Sequence, residues 1–384
     1  ARIGKTLFPP VTAETAARTA MALLGMTALA ILGLAVYSRT RTDALAASIA
    51  TGTTGLLLAS GAFSIWRWWP DRPELLAGFG WPAVPLLGAG CAAAAPGALG
   101  SAHVVIAALT IATVTCGITA ATGRHITMAT TIVTLCMIGG LAAAARMWRD
   151  VPGQWLGMSA LFGLLIALTM APTVALWSSR IRPPHFGSIT GSDLFRRRDG
   201  MPVDAVVPVE DDAVDGSSPD TTPRGAAIAE LAIRANAVLT GICVAIALAL
   251  PAATWATLMP GQARGNAAAC LVLLFILIVI SRGRAFADRR QAVALVCGAA
   301  AAFSAGVIRY VVHYSADAGA ALLWGTLVLI GFASAGLVVA LLVPVTRFTP
   351  LVRMVTEWLE LIAIVMALPL AAWIGGLFSW IRMR

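Results

Sequence analysis

Long apolar blocks separated by short polar breaks set the pattern of this chain. A helix that crosses a bilayer needs about 20 mostly apolar residues. Blocks of that length lie near 17–38, 43–65, 75–95, 98–121, 125–145 and 155–178. Others follow near 235–257, 265–281, 290–312, 318–343 and 358–378. The pattern predicts an all-α integral membrane protein with about eleven transmembrane helices. Pro82, Pro85 and several glycines interrupt the third block. Proline is tolerated inside a span where neighbouring helices satisfy the freed backbone groups, so the block stays in the set. The breaks are short, which predicts antiparallel neighbours. Trp66, Trp68, Trp69, Trp148, Trp155, Trp177, Trp255 and Trp380 sit at block ends, where indole rings favour the headgroup level.

One long polar segment divides the series. It gives three parts: residues 1–179 with six helices, a cytoplasmic connector at 180–224, and residues 225–384 with five helices. Eight of the 18 acidic residues fall in the connector, together with six arginines. Its first part, 180–208, carries aliphatic residues and the rings of His185, Phe186 and Phe195, and is suited to binding a partner or the membrane surface. Phe186, Leu194, Phe195, Arg196, Arg197 and Arg198 are the candidate contacts for a cytosolic partner or a neighbouring subunit. Its second part, 209–223, is acidic and has no aromatic residue, the composition of a segment that stays mobile until a partner orders it.

Two amphipathic pieces lead into spans. One is 226–234, with Glu230 and Arg234 one turn apart. The other is 347–360, where Leu351, Val355, Trp358 and Leu359 share a face and Arg353 and Glu357 are spaced to pair. Both read as helices lying at the cytoplasmic surface, with Arg353, Glu357 and Trp358 marking the second.

Composition agrees with this reading. The chain has 384 residues, of which 59% are hydrophobic and 12% charged, with a mean hydropathy of +0.85. Soluble domains carry about 25% charged residues. The net charge of +9 does not indicate nucleic-acid binding, because the basic residues are scattered between apolar blocks rather than gathered on one face. With the N-terminus cytoplasmic, 19 of the 27 basic residues fall in inside segments, as the positive-inside rule requires. The connector and the run from Arg282 to Arg290 carry most of that bias. The six cysteines lie in or beside apolar blocks without a C-x-x-C pair, and read as small hydrophobes.

The chemistry-bearing patterns are thin. Gly4-Lys5-Thr6 resembles the end of a phosphate-binding loop, but Pro9 and Pro10 spoil the helix such a loop must open. Ion-coupled transporters place ionisable groups near the bilayer midplane, and no acidic residue occupies the middle of a block. Arg18, Arg309, His103 and His313 lie near block ends, where long side chains reach the interface. Thr110, Thr113, Thr115 and Thr119 are expected to bond back to their own helix or a neighbour. Outer loops offer Asp43, Asp150 and Asp317 singly, too few for a membrane transferase. No catalytic, cofactor or metal-binding residue is assigned, so the residues point to a membrane scaffold, with a multi-pass permease for a small or lipidic substrate as the alternative.

Three stretches resemble a known family. RPPHFGSITGSDLFRRRDGMPVDAV (182–206) is similar to the central cytoplasmic loop of EccD, the polytopic membrane component of mycobacterial type VII (ESX) secretion systems. RFTPLVRMVTEWLELIAIVMALPLAAWIGGL (347–377) resembles the family's last interfacial helix and span, and RIGKTLFPPVTAETAARTA (2–20) its entry to the first span. The resemblance covers essentially the whole chain and implies a non-enzymatic structural role in the bacterial inner membrane. It implies a second copy of the chain as partner, the pair forming a helical ring around lipid-filled space. It also implies assembly with EccB, EccC and EccE, EccC being the ATPase that drives secretion. The family carries a ubiquitin-like domain before its first span. Residues 1–6 begin in mid-sequence, so the chain is expected to be a piece of such a longer protein.

Overall fold

The computed structural model describes residues 13–41, 44–179, 223–286, 288–314, 318–342 and 350–376. Among them are eleven α-helices: α1 (Ala13–Arg41), α2 (Ala44–Trp68), α3 (Pro73–Ala94), α4 (Ser101–Thr122), α5 (Ile126–Trp148), α6 (Gly153–Ser178), α7 (Pro223–Thr257), α8 (Gly265–Gly283), α9 (Arg289–His313), α10 (Ala318–Leu342) and α11 (Pro350–Ile374). All eleven are long and apolar enough to cross a membrane, and no strand occurs among the described residues. The connector residues 180–222, with Phe186, Leu194, Phe195, Arg196, Arg197 and Arg198, lie outside the described residues.

The chain forms two compact units, Ala1–Asp150 and Val151–Arg384. In the first, α3 packs against α1, α2 and α4, and α5 packs on α4. Pro82 and Pro85 lie inside α3, which runs unbroken past both. Ala83, Val84 and Leu86 of this helix are buried, so protein rather than lipid surrounds the backbone that the prolines leave unbonded. Ala62 and Ile65 of α2 close on Leu76 of α3, flanked by Leu75 and Phe79. Higher along the same pair, Gly90 meets Gly52: a Cβ on Gly90 would come within 2.8 Å of the Gly52 backbone.

In the second unit α6 packs on α7, α7 on α9, and α9 on α8 and α10, while α11 packs on α8. Leu161, Leu164 and Leu168 of α6, Ile246 and Leu250 of α7, Leu271, Phe275 and Ile278 of α8, and Leu295 of α9 are fully buried. Phe162 meets Phe275 edge to face, with ring centroids 5.0 Å apart. The opposite faces carry leucine, valine, isoleucine and methionine outward; on α10, Leu322, Leu327, Ile330, Leu337 and Leu341 are all exposed. An aliphatic outer face is what lipid contact requires. The amphipathic lead-ins belong to uninterrupted helices, the first to α7 and the second, from residue 350, to α11.

Small residues set the α7–α9 distance. A Cβ on Gly298 would lie 2.5 Å from Ala247 Cα, so the helices touch backbone to backbone. Gly298→Ala is expected to cost about 1–3 kcal/mol. Gly331→Ala, where a Cβ meets nothing within 4 Å, should stay within about 0.5 kcal/mol of the parent. Thermal melting of both variants in one detergent checks this. Equal melting temperatures would mean that the helices do not meet at Gly298.

Candidate functional site

The described helices carry few polar side chains, and most are satisfied locally. Thr110, Thr113 and Thr119 donate to carbonyls four residues back at 2.6–2.9 Å, whereas the buried hydroxyl of Thr115 has no partner. A group of side chains bonded across helices gathers at one end of the second unit, around the turn between α8 and α9.

There Arg282, near the end of α8, meets Glu360 of α11, with Nε 2.5 Å from Oε1. Nε makes no aligned hydrogen bond, so the contact is an ion pair. Ser281 Oγ donates to the other carboxylate oxygen at 2.9 Å. Glu360 lies within the span Met354–Ile374, and its side chain is only 17% exposed. A carboxylate so placed needs its charge met, and both its oxygens are engaged. At the other end of α8, Arg264 Nη1 donates to the carbonyl of Ile374, the last residue of α11, at 3.0 Å. The two arginines are eighteen residues apart, about 27 Å along a helix, close to the roughly 30 Å thickness of a bilayer core. They fasten α11 to α8 near both membrane faces.

Beside Arg282 runs a second polar system. Asn236 Nδ2 donates to Asp288 Oδ2 at 2.9 Å. Gln291 Nε2 donates to Asn236 Oδ1 at 2.7 Å and to Thr240 Oγ1 at 3.0 Å. Thr240 in turn donates to the Asn236 carbonyl at 2.7 Å. The ends of this relay determine its amide orientations. An ionised carboxylate only accepts, so Asn236 presents its NH2 to Asp288 and its oxygen to Gln291. Thr240 has committed its proton, so it too must receive from Gln291. Asp288 also takes the backbone N–H of Arg290 at 2.9 Å, capping α9. Hydrogen bonds from Asn236 and from the Arg290 backbone, with the charges of Arg290 and Arg289, hold the Asp288 carboxyl below its usual range. Its contribution to stability is therefore present above the ordinary carboxylate pKa. It is lost only as pH falls through the depressed value.

Between the two systems is a pocket of about 320 Å³. Leu168, Thr169 and Pro172 of α6 line it, with Asn236 and Leu239 of α7 and Arg282, Ala285, Phe286, Asp288 and Gln291 from the α8–α9 end. No group of three or more His, Cys, Asp or Glu that could hold a metal occurs among the described residues. The arrangement can hold a small polar group or fasten helices; no nucleophile and base are paired in it.

Arg353, Glu357 and Trp358, read from the sequence as marking an interfacial helix, lie in the first turns of α11. Glu357 is exposed, and Trp358 is 61% exposed. The polar relay is not apparent from the sequence, because its members are two neutral amides, a threonine and one aspartate far apart in the chain. Its visible sign is amides among aliphatics, Asn236 and Gln291 each at the head of a long block.

Comparison with known proteins places the whole chain. A family profile described as the EccD-like transmembrane domain matches residues 17–383. An ESX-2 secretion system protein, eccD2, of Mycobacterium tuberculosis (strain CDC 1551 / Oshkosh) is 46% identical over 99% of this chain and 75% of that protein. An ESX-5 secretion system protein, EccD5, of Mycobacterium marinum (strain ATCC BAA-535 / M) is 26% identical over 76% of this chain and 57% of that protein. Two solved structures share the fold. One, protomer 1 of the ESX-3 core complex, matches with a TM-score of 0.77 at 19% identity, over 98% of this chain and 79% of that one. The other, a MycP5-free ESX-5 inner membrane complex, matches with a TM-score of 0.68 at 21% identity, over 88% and 73%.

Glu360→Gln keeps an acceptor for Ser281 but leaves Arg282 without a counter-charge, at an expected cost of about 1–3 kcal/mol. The double variant with Arg282→Gln should lose clearly less than the two single losses added together. Melting temperatures of the four proteins give the coupling, and strict additivity would deny the ion pair. Gln291→Leu strands Asn236 Oδ1 and the second lone pair of Thr240, and is expected to cost about 1–3 kcal/mol by the same measurement.

Proposed function

This chain belongs to the EccD-like transmembrane family, and we propose from that premise that it is a structural membrane subunit of a type VII (ESX) secretion complex. The observation that carries the reading is the family match across residues 17–383, on a chain whose eleven described helices are all long and apolar enough to cross a membrane. The chain is a multi-pass membrane protein. Its place is the bacterial inner membrane, by analogy with the ESX-5 inner membrane complex whose fold it shares. Two copies pair into a helical ring, and the ring assembles with EccB, the ATPase EccC and EccE, with membrane lipids in its interior. The N-terminus faces the cytoplasm, as the basic-residue bias favours. The work of the subunit is to hold other components in place, and it is not an enzyme. Six helices lie in residues 1–179 and five in 225–384, with 180–224 as the cytoplasmic connector. Within the connector, Phe186, Leu194, Phe195 and Arg196 to Arg198 bind a cytosolic partner or a neighbouring subunit. Arg353, Glu357 and Trp358 lie at the cytoplasmic surface of the membrane.

Gentle solubilisation from the native membrane, followed by mass measurement, tests the assembly. The expected particle is many times the 39.7 kDa chain and retains an ATPase. A monomer or dimer without one would sink the proposal. Reversing Arg196, Arg197 and Arg198 to glutamate should shift the particle toward smaller species as salt is raised. An unchanged particle would remove these residues from the contact.

A further inference from the structure

The pocket beside the α8–α9 turn is built to receive hydrogen-bond donors. Gln291 is 1% exposed and lines the pocket. Both of its N–H bonds are committed to Asn236 and Thr240, while its Oε1 accepts from no group among the described residues. Asp288 lines the same space with a carboxylate. The carbonyl of Leu168 adds a further acceptor, because its helical partner would be the N–H that Pro172 lacks. Arg282 also lines the pocket, but its charge is met by Glu360.

The surroundings have the opposite character. Arg284, Arg289 and Arg290 are exposed at the same turn. The turn joins the end of one span to the start of the next, which puts it at the level of lipid headgroups. Acceptors inside and cations outside select a ligand with a donor-bearing cation at its tip and an anion a short distance behind. The volume, about 320 Å³, is on the scale of a small-molecule site.

We propose that this pocket binds the headgroup of an ethanolamine phospholipid from the adjoining leaflet. Its ammonium sits on Gln291 Oε1 and Asp288, and its phosphate lies against Arg284, Arg289 and Arg290. The walls Leu168, Pro172, Leu239, Ala285 and Phe286 take the two methylenes between them. A choline headgroup carries the same charges but no N–H, and would leave Gln291 Oε1 unmet. A glycerol headgroup lacks the cation. The site is independent of the secretion role, since it depends only on the pocket and on the membrane around it.

The test is a methylation series. The purified chain is equilibrated with equimolar phosphatidylethanolamine, its N-methyl and N,N-dimethyl derivatives, and phosphatidylcholine, all with the same acyl chains. Retained lipid is counted by native mass spectrometry. Retention is expected to fall with each methyl, by roughly tenfold across the series. Asp288→Asn keeps an acceptor for Asn236 and the cap on α9 but removes the charge, and should reduce the spread to about twofold or less. If that variant does not fold, the series on the unaltered chain decides alone. Equal retention of the four lipids, or phosphatidylglycerol held as strongly as phosphatidylethanolamine, overturns the proposal.

Discussion

Lipid cannot hydrogen-bond, and the rest of this structure depends on that constraint. Every backbone group inside the hydrocarbon must be satisfied within its own helix, and every polar side chain by its own helix or a neighbour. Most polar side chains of the eleven described helices meet it in two ways, Thr115 and Thr254 being exceptions. Isolated hydroxyls fold back on the preceding turn, as Thr51, Thr131 and Thr257 do. Several side chains that cannot do so bond to neighbouring helices around the end of α8 and the start of α9, as Glu360, Asn236 and Gln291 do. The polar cluster follows from the solvent rather than standing as an exception to it.

The same constraint explains how α11 is attached. Apolar helices in lipid gain no hydrophobic energy from touching each other, so a helix that packs chiefly on one neighbour needs other fastenings. Arg264 and Arg282 provide them at the two ends of α8. Between them Cys270, Leu273, Leu274, Met366, Pro369, Leu370 and Trp373 border an apolar groove of about 930 Å³. The helices are therefore tied at the membrane faces and loosely packed between. The α7–α9 pair shows the reverse: the two helices approach until Gly298 meets Ala247, with hydrogen bonds from Gln291 to Asn236 and Thr240 added at one end.

Individual spans were legible in the sequence because each is a local property. Twenty apolar residues declare a span without reference to the rest of the chain, and even α3 could be kept despite Pro82 and Pro85. Which spans touch was not legible. Gly52 and Gly90 stand out as small residues, but nothing local says that they face each other, and the chain is rich in glycine throughout. The grouping of α6 with α7, with 44 residues between them, is likewise a matter of packing. The site was hidden for a related reason. Glu360 reads as part of an amphipathic lead-in until α8 brings Arg282 and Ser281 to it. Asn236 and Gln291 read as isolated amides until 55 residues of chain fold them into one relay.

The amides also show why hydrogen-bond direction carries more information here than residue type. Asn and Gln each offer donors and an acceptor, so either could be satisfied in several ways. Asp288 removes that freedom at one end because a carboxylate has no proton to give. Thr240 removes it at the other because its proton is already bonded to the Asn236 carbonyl. Two local facts thus orient every bond between them and leave Gln291 Oε1 as an acceptor that no described residue uses. An unused acceptor on a side chain that is 1% exposed costs free energy for as long as it stays unmet. Gln291 therefore serves two ends: its N–H groups bridge α9 to α7, and its remaining acceptor is left for what enters the pocket it lines.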